Sequence, residues 1–214
     1  MASHACDPAV QNVELELPSP PTTRRGQFGN PTGWLGWVVG HAMAFKNRRR
    51  SEWALEHLEL TETSRVLEIG FGSGADLARV IDRAPHATHA GIDPSETMMR
   101  MAFQRVGGNV ELHRGTAHVL PWNDASFDRV FSINSVQFWN DLVIGACEVL
   151  RVLTPGGLAA LAIEPRNEGA TFATSMDWAQ RLDTTLKLVG FASTETFVLH
   201  ERDVPTVLVV GRAR

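Results

Sequence analysis

The stretch Val66-Leu67-Glu68-Ile69-Gly70-Phe71-Gly72-Ser73-Gly74 constrains this chain more than any other. Arg65 to Ile69 has the branched, apolar character of a buried strand, and three glycines at alternate positions follow it at once. Glycine at such a junction permits positive φ and lets a ligand approach the main chain where a Cβ would collide. A helical stripe of Leu77, Ile81 and Ala84 comes next, and Pro85 stops it. Strand, glycine turn and helix in that order open a βαβ unit, which commits the chain to a parallel sheet covered by helices on both faces.

The alternation continues to the end. Thr88 to Ile92 is a second strand, and Pro94-Ser95-Glu96 opens a helix whose first-turn acid suits the helix dipole. Val110 to His113 and Asp128 to Ile133 are the third and fourth strands. Leu142, Ala146, Val149 and Leu153 line a helix that ends at Pro155-Gly156-Gly157, and Leu158 to Ile163 is a fifth strand. Trp178, Leu182, Leu186 and Val189 line a last helix stopped by Gly190. The final strands, around Thr196 to His200 and Thr206 to Val210, are separated only by Glu201 to Pro205. A parallel crossover needs about a dozen residues or more, so this pair is an antiparallel hairpin.

Upstream, residues 1–25 carry Pro18, Pro20 and Pro21 without an apolar period and are expected to form a mobile leader. Trp34, Trp37, Val38, His41 and Phe45 fall on one face of a helix, and a second helix runs through Trp53, Leu55 and Leu58. The expected organisation is a single domain over 26–214, with a helical cap over 26–60 and a cofactor-binding core over 61–214.

With 214 residues and 43% hydrophobic content the chain fits one core. A net charge of −4 supplies no global basic field for a nucleic-acid backbone, so no nucleic-acid partner is expected. Cys6 and Cys147 make neither a disulfide framework nor a metal cluster and suit reduced thiols, with Cys147 facing the core. The apolar run Trp34 to Phe45 is too short for a membrane span, and the N-terminus lacks a signal-peptide pattern, so a cytoplasmic protein is expected. Arg48-Arg49-Arg50 reads first as a solvated helix face; attraction of an anionic acceptor or a lipid surface is the other reading.

In sheets of this kind ligands lie at the carboxyl ends of the strands. Asp93 stands at such an end and offers two oxygens to the two hydroxyls of a ribose. Free N–H groups at the start of the helix after the glycines suit an anionic group. Two cofactors fit these features. Gly70, Gly72 and Ala75 match the dinucleotide fingerprint G-x-G-x-x-G/A, and Asp93 follows Gly70 by 23 positions, which suits it too. The same loop suits S-adenosylmethionine, with Glu68 placed to meet a cationic amino-acid tail.

Further motifs separate the two. Gly115-Thr116-Ala117-His118-Val119-Leu120-Pro121-Trp122 follows the third strand, Ser126-Phe127-Asp128-Arg129-Val130 opens the fourth, and Leu150-Arg151-Val152-Leu153-Thr154-Pro155-Gly156-Gly157 precedes the fifth. Together with Glu68 and the terminal hairpin, this series resembles the class I S-adenosylmethionine-dependent methyltransferases, above all the small-molecule branch that includes ubiquinone and menaquinone biosynthesis enzymes. The resemblance covers about residues 60–160 well and the rest by topology. It implies a Rossmann-like α/β fold with a seven-stranded, mostly parallel sheet of order 3-2-1-4-5-7-6, the last strand antiparallel, under an N-terminal helical cap. It also implies S-adenosylmethionine as cofactor, methyl transfer to an O, N or C atom of a small-molecule acceptor, no metal, and a monomer or homodimer. A nicotinamide-dependent oxidoreductase is disfavoured because the chain has no Tyr for a Tyr/Lys pair. A non-catalytic module that binds the cofactor is the other alternative.

Position by position, the resemblance implies that Gly70, Phe71, Gly72 and Gly74 border the methionine part of the cofactor and that Glu68 holds its amino group. Asp93 takes the ribose, and Pro94 and Met98 pack near the adenine. Thr116, Ala117 and His118 flank the adenine, with Thr116 standing where the family usually has Asp. Asn134 places a main-chain carbonyl near the methionine tail. Phe71 replaces a smaller residue, and Gln137-Phe138-Trp139 stands where histidines are common. Trp34, Trp37, Gln137 and Trp139 are the candidates to wall the acceptor, and His41 is the candidate base for an acceptor hydroxyl.

Overall fold

The computed structural model describes residues 48–214. The expected leader and the expected helix bearing Trp34, Trp37 and His41 lie outside the described residues. In chain order the elements are α1 (Arg48–Glu56), β1 (Arg65–Ile69), α2 (Ala75–Arg83), β2 (Thr88–Asp93), α3 (Glu96–Val106), β3 (Glu111–Arg114), β4 (Phe127–Ile133), a 3-10 turn (Val136–Phe138), α4 (Leu142–Val152), β5 (Leu153–Ile163), α5 (Phe172–Val189), β6 (Ser193–Leu199) and β7 (Thr206–Arg212). They build one seven-stranded sheet of order β3-β2-β1-β4-β5-β7-β6. β1 to β5 pair in parallel, and β7 runs antiparallel to both β5 and β6. This is the expected topology, terminal hairpin included.

Strand alternation divides the core into two layers. Leu67, Ile69, Val130, Leu161 and Val209 pack toward α4 and α5. Val66, Phe131, Ala160 and Leu208 pack toward Ala54 and Leu55 of α1 and Val80 of α2. Successive strand residues point to opposite faces, so Glu68 shares the α1/α2 face with Val66. Glu68 is in register with Gly91, two residues before Asp93, so Asp93 points to that face as well. Sheet geometry alone thus aims both carboxylates at the N-terminus of α2.

Local chemistry fixes the helix ends. Ser95 and Asp141 cap α3 and α4 by accepting from the N–H groups of Met98 and Ile144, and Thr171 forms a capping box on α5. Gly190 ends α5 in the left-handed conformation, as its position predicts. Several boundaries differ from the sequence expectation: α1 stops at Glu56, short of Leu58, β7 runs on to Arg212, and two strands start earlier. β5 starts at Leu153, immediately where α4 stops, and Pro155-Gly156-Gly157 lies inside the strand across a register shift against β4. Leu153 fits the helical stripe equally well, and its pairing with Phe127 decides the outcome. β6 begins at Ser193 because the antiparallel ladder with β7 reaches that far.

One other reading is corrected. Arg50 does not sit on a solvated helix face: it is 3% exposed and ion-paired with Glu164, because a buried guanidinium is tolerated only beside a carboxylate. Cys147 faces the core as expected. Among the described residues no helix is long and apolar enough to cross a membrane.

Candidate active site at the carboxyl edge of the sheet

The loop after β1 takes positive φ at Gly70, Gly72 and Gly74 (+79°, +52° and +73°), and each glycine answers a different constraint. A Cβ at Gly70 would overlap the side chain of Ser135, so this glycine lets the β1 and β4 loops meet. A Cβ at Gly74 would lie 2.9 Å from Ala102, so this one lets α2 approach α3. A Cβ at Gly72 would meet nothing within 4 Å. Only at Gly72 does the missing side chain leave open space, the condition for a ligand to reach the main chain.

Gly72 donates its N–H to Asp93 Oδ2 at 2.9 Å, and Ser95 donates its N–H to Asp93 Oδ1 at 2.8 Å. Each carboxylate oxygen keeps a further lone pair, enough for two hydroxyl donors. The Phe71 ring is buried under β2, in the space that Gly91 leaves open beside Leu77 and Leu112. The larger residue at position 71 is therefore accommodated by the core, and its main chain is the part left for a ligand.

Glu68 is 2% exposed and accepts the N–H of Leu77, while its Oε2 has no hydrogen-bond partner within the protein. Burial, then the carboxylates of Asp76 and Asp93, push its pKa well above the usual range. Burial also raises the pKa of Asp93, against the two N–H groups that favour its ionised form. Arg79 is ion-paired with Asp76 and opposes the rise at Glu68 only in part. Three carboxylates around the first turn of α2 leave the site short of positive charge. A ligand carrying an amino cation and a sugar diol matches that shortage and the free lone pairs of Glu68 and Asp93, so the residues present fit S-adenosylmethionine.

The β4 end completes the arrangement. Asn134 has φ +53°, its Oδ1 accepts the N–H of Glu164 at 2.8 Å, and its carbonyl accepts from Gln137 Nε2 at 3.0 Å. Asn134 Nδ2, Gln137 Oε1 and Trp139 Nε1 are buried polar atoms without a partner within the protein. Leaving such a group dry costs about 1–3 kcal/mol, and all three follow β4 directly. The Trp139 ring is packed against Gly145 of α4 and joins the main core.

The adenine candidates are more dispersed. Ala117 is buried in the main core, Thr116 is exposed, and its carbonyl accepts from the N–H of Val119 at 3.4 Å. His118 Nε2 lies 3.0 Å from both the N–H and the carbonyl of Asp141, so it serves one or the other according to tautomer. Met98 is buried in the first turn of α3, whereas Pro94 is exposed and its carbonyl takes the Arg114 Nε–H at 3.3 Å. The structure thus gathers Glu68, the three glycines, Asp93, Asn134 and Gln137 at one edge, while Trp34, Trp37 and His41 lie outside the described residues. Sequence reasoning missed Asp76, whose signal is an acid in the first turn after the glycine loop. It also missed Ser135, which carries no local signal.

Known proteins supply an independent comparison. A family model described as a methyltransferase domain matches residues 67–161. The uncharacterized methyltransferase YdaC of Bacillus subtilis (strain 168) is 31% identical over 155 residues, which span 72% of this chain and 86% of that one. A demethylmenaquinone methyltransferase of Deinococcus radiodurans is 35% identical over 146 residues, 66% of this chain; the chain spans only about half, 54%, of that relative. Among solved structures, a SAM-dependent methyltransferase from Thermotoga maritima superposes with a TM-score of 0.63 at 21% identity, covering 85% of this chain and 94% of that one, a likeness of fold.

Proposed function

The chain belongs to the class I S-adenosylmethionine-dependent methyltransferases, and from that premise we propose that it methylates an O, N or C atom of a small-molecule acceptor. S-adenosylmethionine is its cofactor and methyl transfer its reaction. When bound, the cofactor supplies a methyl group already activated on a sulfonium. The chain's own residues therefore have mainly to hold and align.

Glu68 accepts from the amino group, and Asp93 accepts from the ribose hydroxyls while Gly72 and Ser95 keep its carboxylate aimed. Met98, Pro94, Thr116, Ala117 and His118 border the adenine, with the His118 ring steadied on Asp141. Asn134 and Gly70 border the methionine tail, and Gln137 and Trp139 face the acceptor together with Trp34 and Trp37. Holding a nucleophile in line at about 3 Å replaces a bimolecular encounter with an effectively unimolecular step and supplies most of the acceleration. A neutral amine or a carbanion asks for no more. For a hydroxyl we assign proton removal to His41. His41→Ala should lower turnover on such an acceptor and leave cofactor affinity unchanged; unchanged turnover rejects the assignment.

The observation that carries this reading is the buried pair Glu68 and Asp93, with the half-buried Asp76 next to them, beside the open face of Gly72. A dinucleotide would bring two phosphates to that acidic turn. Calorimetry with S-adenosylhomocysteine and with a nicotinamide dinucleotide tests it. Binding of the first alone is expected; binding of the second alone refutes it.

A further inference from the structure

A second charged cluster lies on the same edge of the sheet and takes no part in holding the cofactor. Glu164 follows the last residue of β5, and its N–H is bonded to Asn134 Oδ1 at 2.8 Å. Three guanidiniums share its carboxylate. Arg50 Nη1 and Arg166 Nη2 (3.2 Å) donate to Oε2, and Arg202 Nη1 donates to Oε1 at 3.1 Å. Arg49 pairs with Glu201 at 2.6 Å alongside. These ion-paired groups carry two more positive than negative charges. Arg50, Glu164, Glu201, Arg202 and Thr206 line a shallow cleft that opens to solvent.

One arginine would suffice to tie α1 to β5, and Arg50 does so. The others exceed that structural need. Arg50 keeps a buried Nε without a hydrogen-bond partner. Burial, and after it the Arg166 charge, pull its pKa down to about 10 against the attraction of Glu164 and Asp76. The Arg166 and Arg202 side chains are 39% and 55% exposed, so they stand at the rim, where a planar guanidinium fork can receive an oxyanion.

Topology fixes where such an anion would sit relative to the chemistry. β5 is parallel to β4 and β1, and the turn between β6 and β7 that carries Arg202 returns to the same edge. The cleft lies between β5 and the start of β7, two to three strand spacings from β1, roughly 10–15 Å from the glycine loop. A small molecule spans that distance. We infer that the cleft between Glu164, Arg50 and Arg202 receives an anionic group of the acceptor, a carboxylate or a phosphate, at the end of the molecule remote from the methylated atom. The assignment rests on the methyltransferase reading and sharpens it: the enzyme selects acceptors that carry negative charge.

The test uses the full chain at constant ionic strength. S-adenosylhomocysteine is titrated first, then inorganic phosphate and acetate separately, into the wild type, Arg202→Ala and Arg202→Lys. The wild type should bind one of the two anions in the millimolar range, and which one it prefers identifies the group. Arg202→Ala should weaken that binding by up to about fivefold, the loss expected for one exposed charge contact, and Arg202→Lys should restore part of it. Affinity for S-adenosylhomocysteine and the melting temperature should stay as in the wild type, which separates binding from structure. Absence of anion binding, or equal binding by wild type and Arg202→Ala, overturns the inference. Failure of the wild type to bind S-adenosylhomocysteine overturns the methyltransferase reading instead, whatever the anions do.

Discussion

Replacing Glu68 by Gln probes the centre of the site, because it keeps size and one acceptor oxygen, exchanges the other for an NH2 donor and removes the capacity for negative charge. In the free protein the carboxyl is buried at 2% exposure, faces Asp76 and Asp93, and has its pKa raised well above the ordinary 4.5. The stability that goes with the protonated carboxyl is complete below the unfolded-chain pKa and is lost as pH rises through the folded value. The free wild type should therefore lose stability from about pH 5 upward relative to Glu68→Gln. The variant should melt higher at pH 8, and the gap should close toward pH 5. Each kcal/mol corresponds to about 2–4 °C for a chain of this size. With S-adenosylhomocysteine the order reverses. A hydrogen bond to a charged group contributes about 1.5–3 kcal/mol, so the variant should bind about 10- to 150-fold more weakly. In the wild type the incoming ammonium draws the proton from Glu68, so the binding enthalpy should differ between PIPES and Tris buffers by the released fraction of a proton. In the variant most of that difference should vanish, with only a residue from Asp93. Equal affinities, or a wild-type enthalpy independent of buffer together with equal melting at pH 8, would refute the electrostatic account.

Other outcomes follow from the same geometry. Gly72→Ala should cost about 1–2 kcal/mol for its positive φ and still fold, yet lose affinity for S-adenosylhomocysteine, since its Cβ enters only ligand space. Gly70→Ala should destabilise far more because it strikes Ser135, and adding Ser135→Gly should recover most of the melting temperature. Glu164→Ala leaves the Arg50 guanidinium buried without its partner and should cost about 3–5 kcal/mol in chemical denaturation. Burial disfavours the Glu164 anion, but Arg50, Arg166 and Arg202 outweigh it and hold the pKa below the ordinary value. The stability this carboxylate contributes is therefore present above the unfolded-chain pKa and lost as pH falls through the folded one, so wild type and variant should converge in strong acid.

The sequence by itself determined the strands, the glycine turn and the antiparallel close of the sheet, because side-chain period and connection length are local properties that survive folding. Spacing fixes the parity of Glu68 along its strand and of Asp93 along the next, but that the two share a face follows from the register of β1 with β2. What only the tertiary structure decided are the relations between residues far apart in the chain. The three glycines look alike in the sequence, yet Gly70 is there for Ser135, Gly74 for Ala102, and Gly72 alone for open space. Arg50 reads as one of three surface arginines until β5 brings Glu164 beside it from 114 residues away. Phe71 reads as a cofactor neighbour, and only the fold shows that Gly91 opens a place for its ring in the core. Leu153 serves a helical stripe or a strand equally well, and the ladder with Phe127 settles it. In each case periodicity fixes the direction in which a side chain leaves its own element, but what it meets depends on how the crossovers stack the other elements against it.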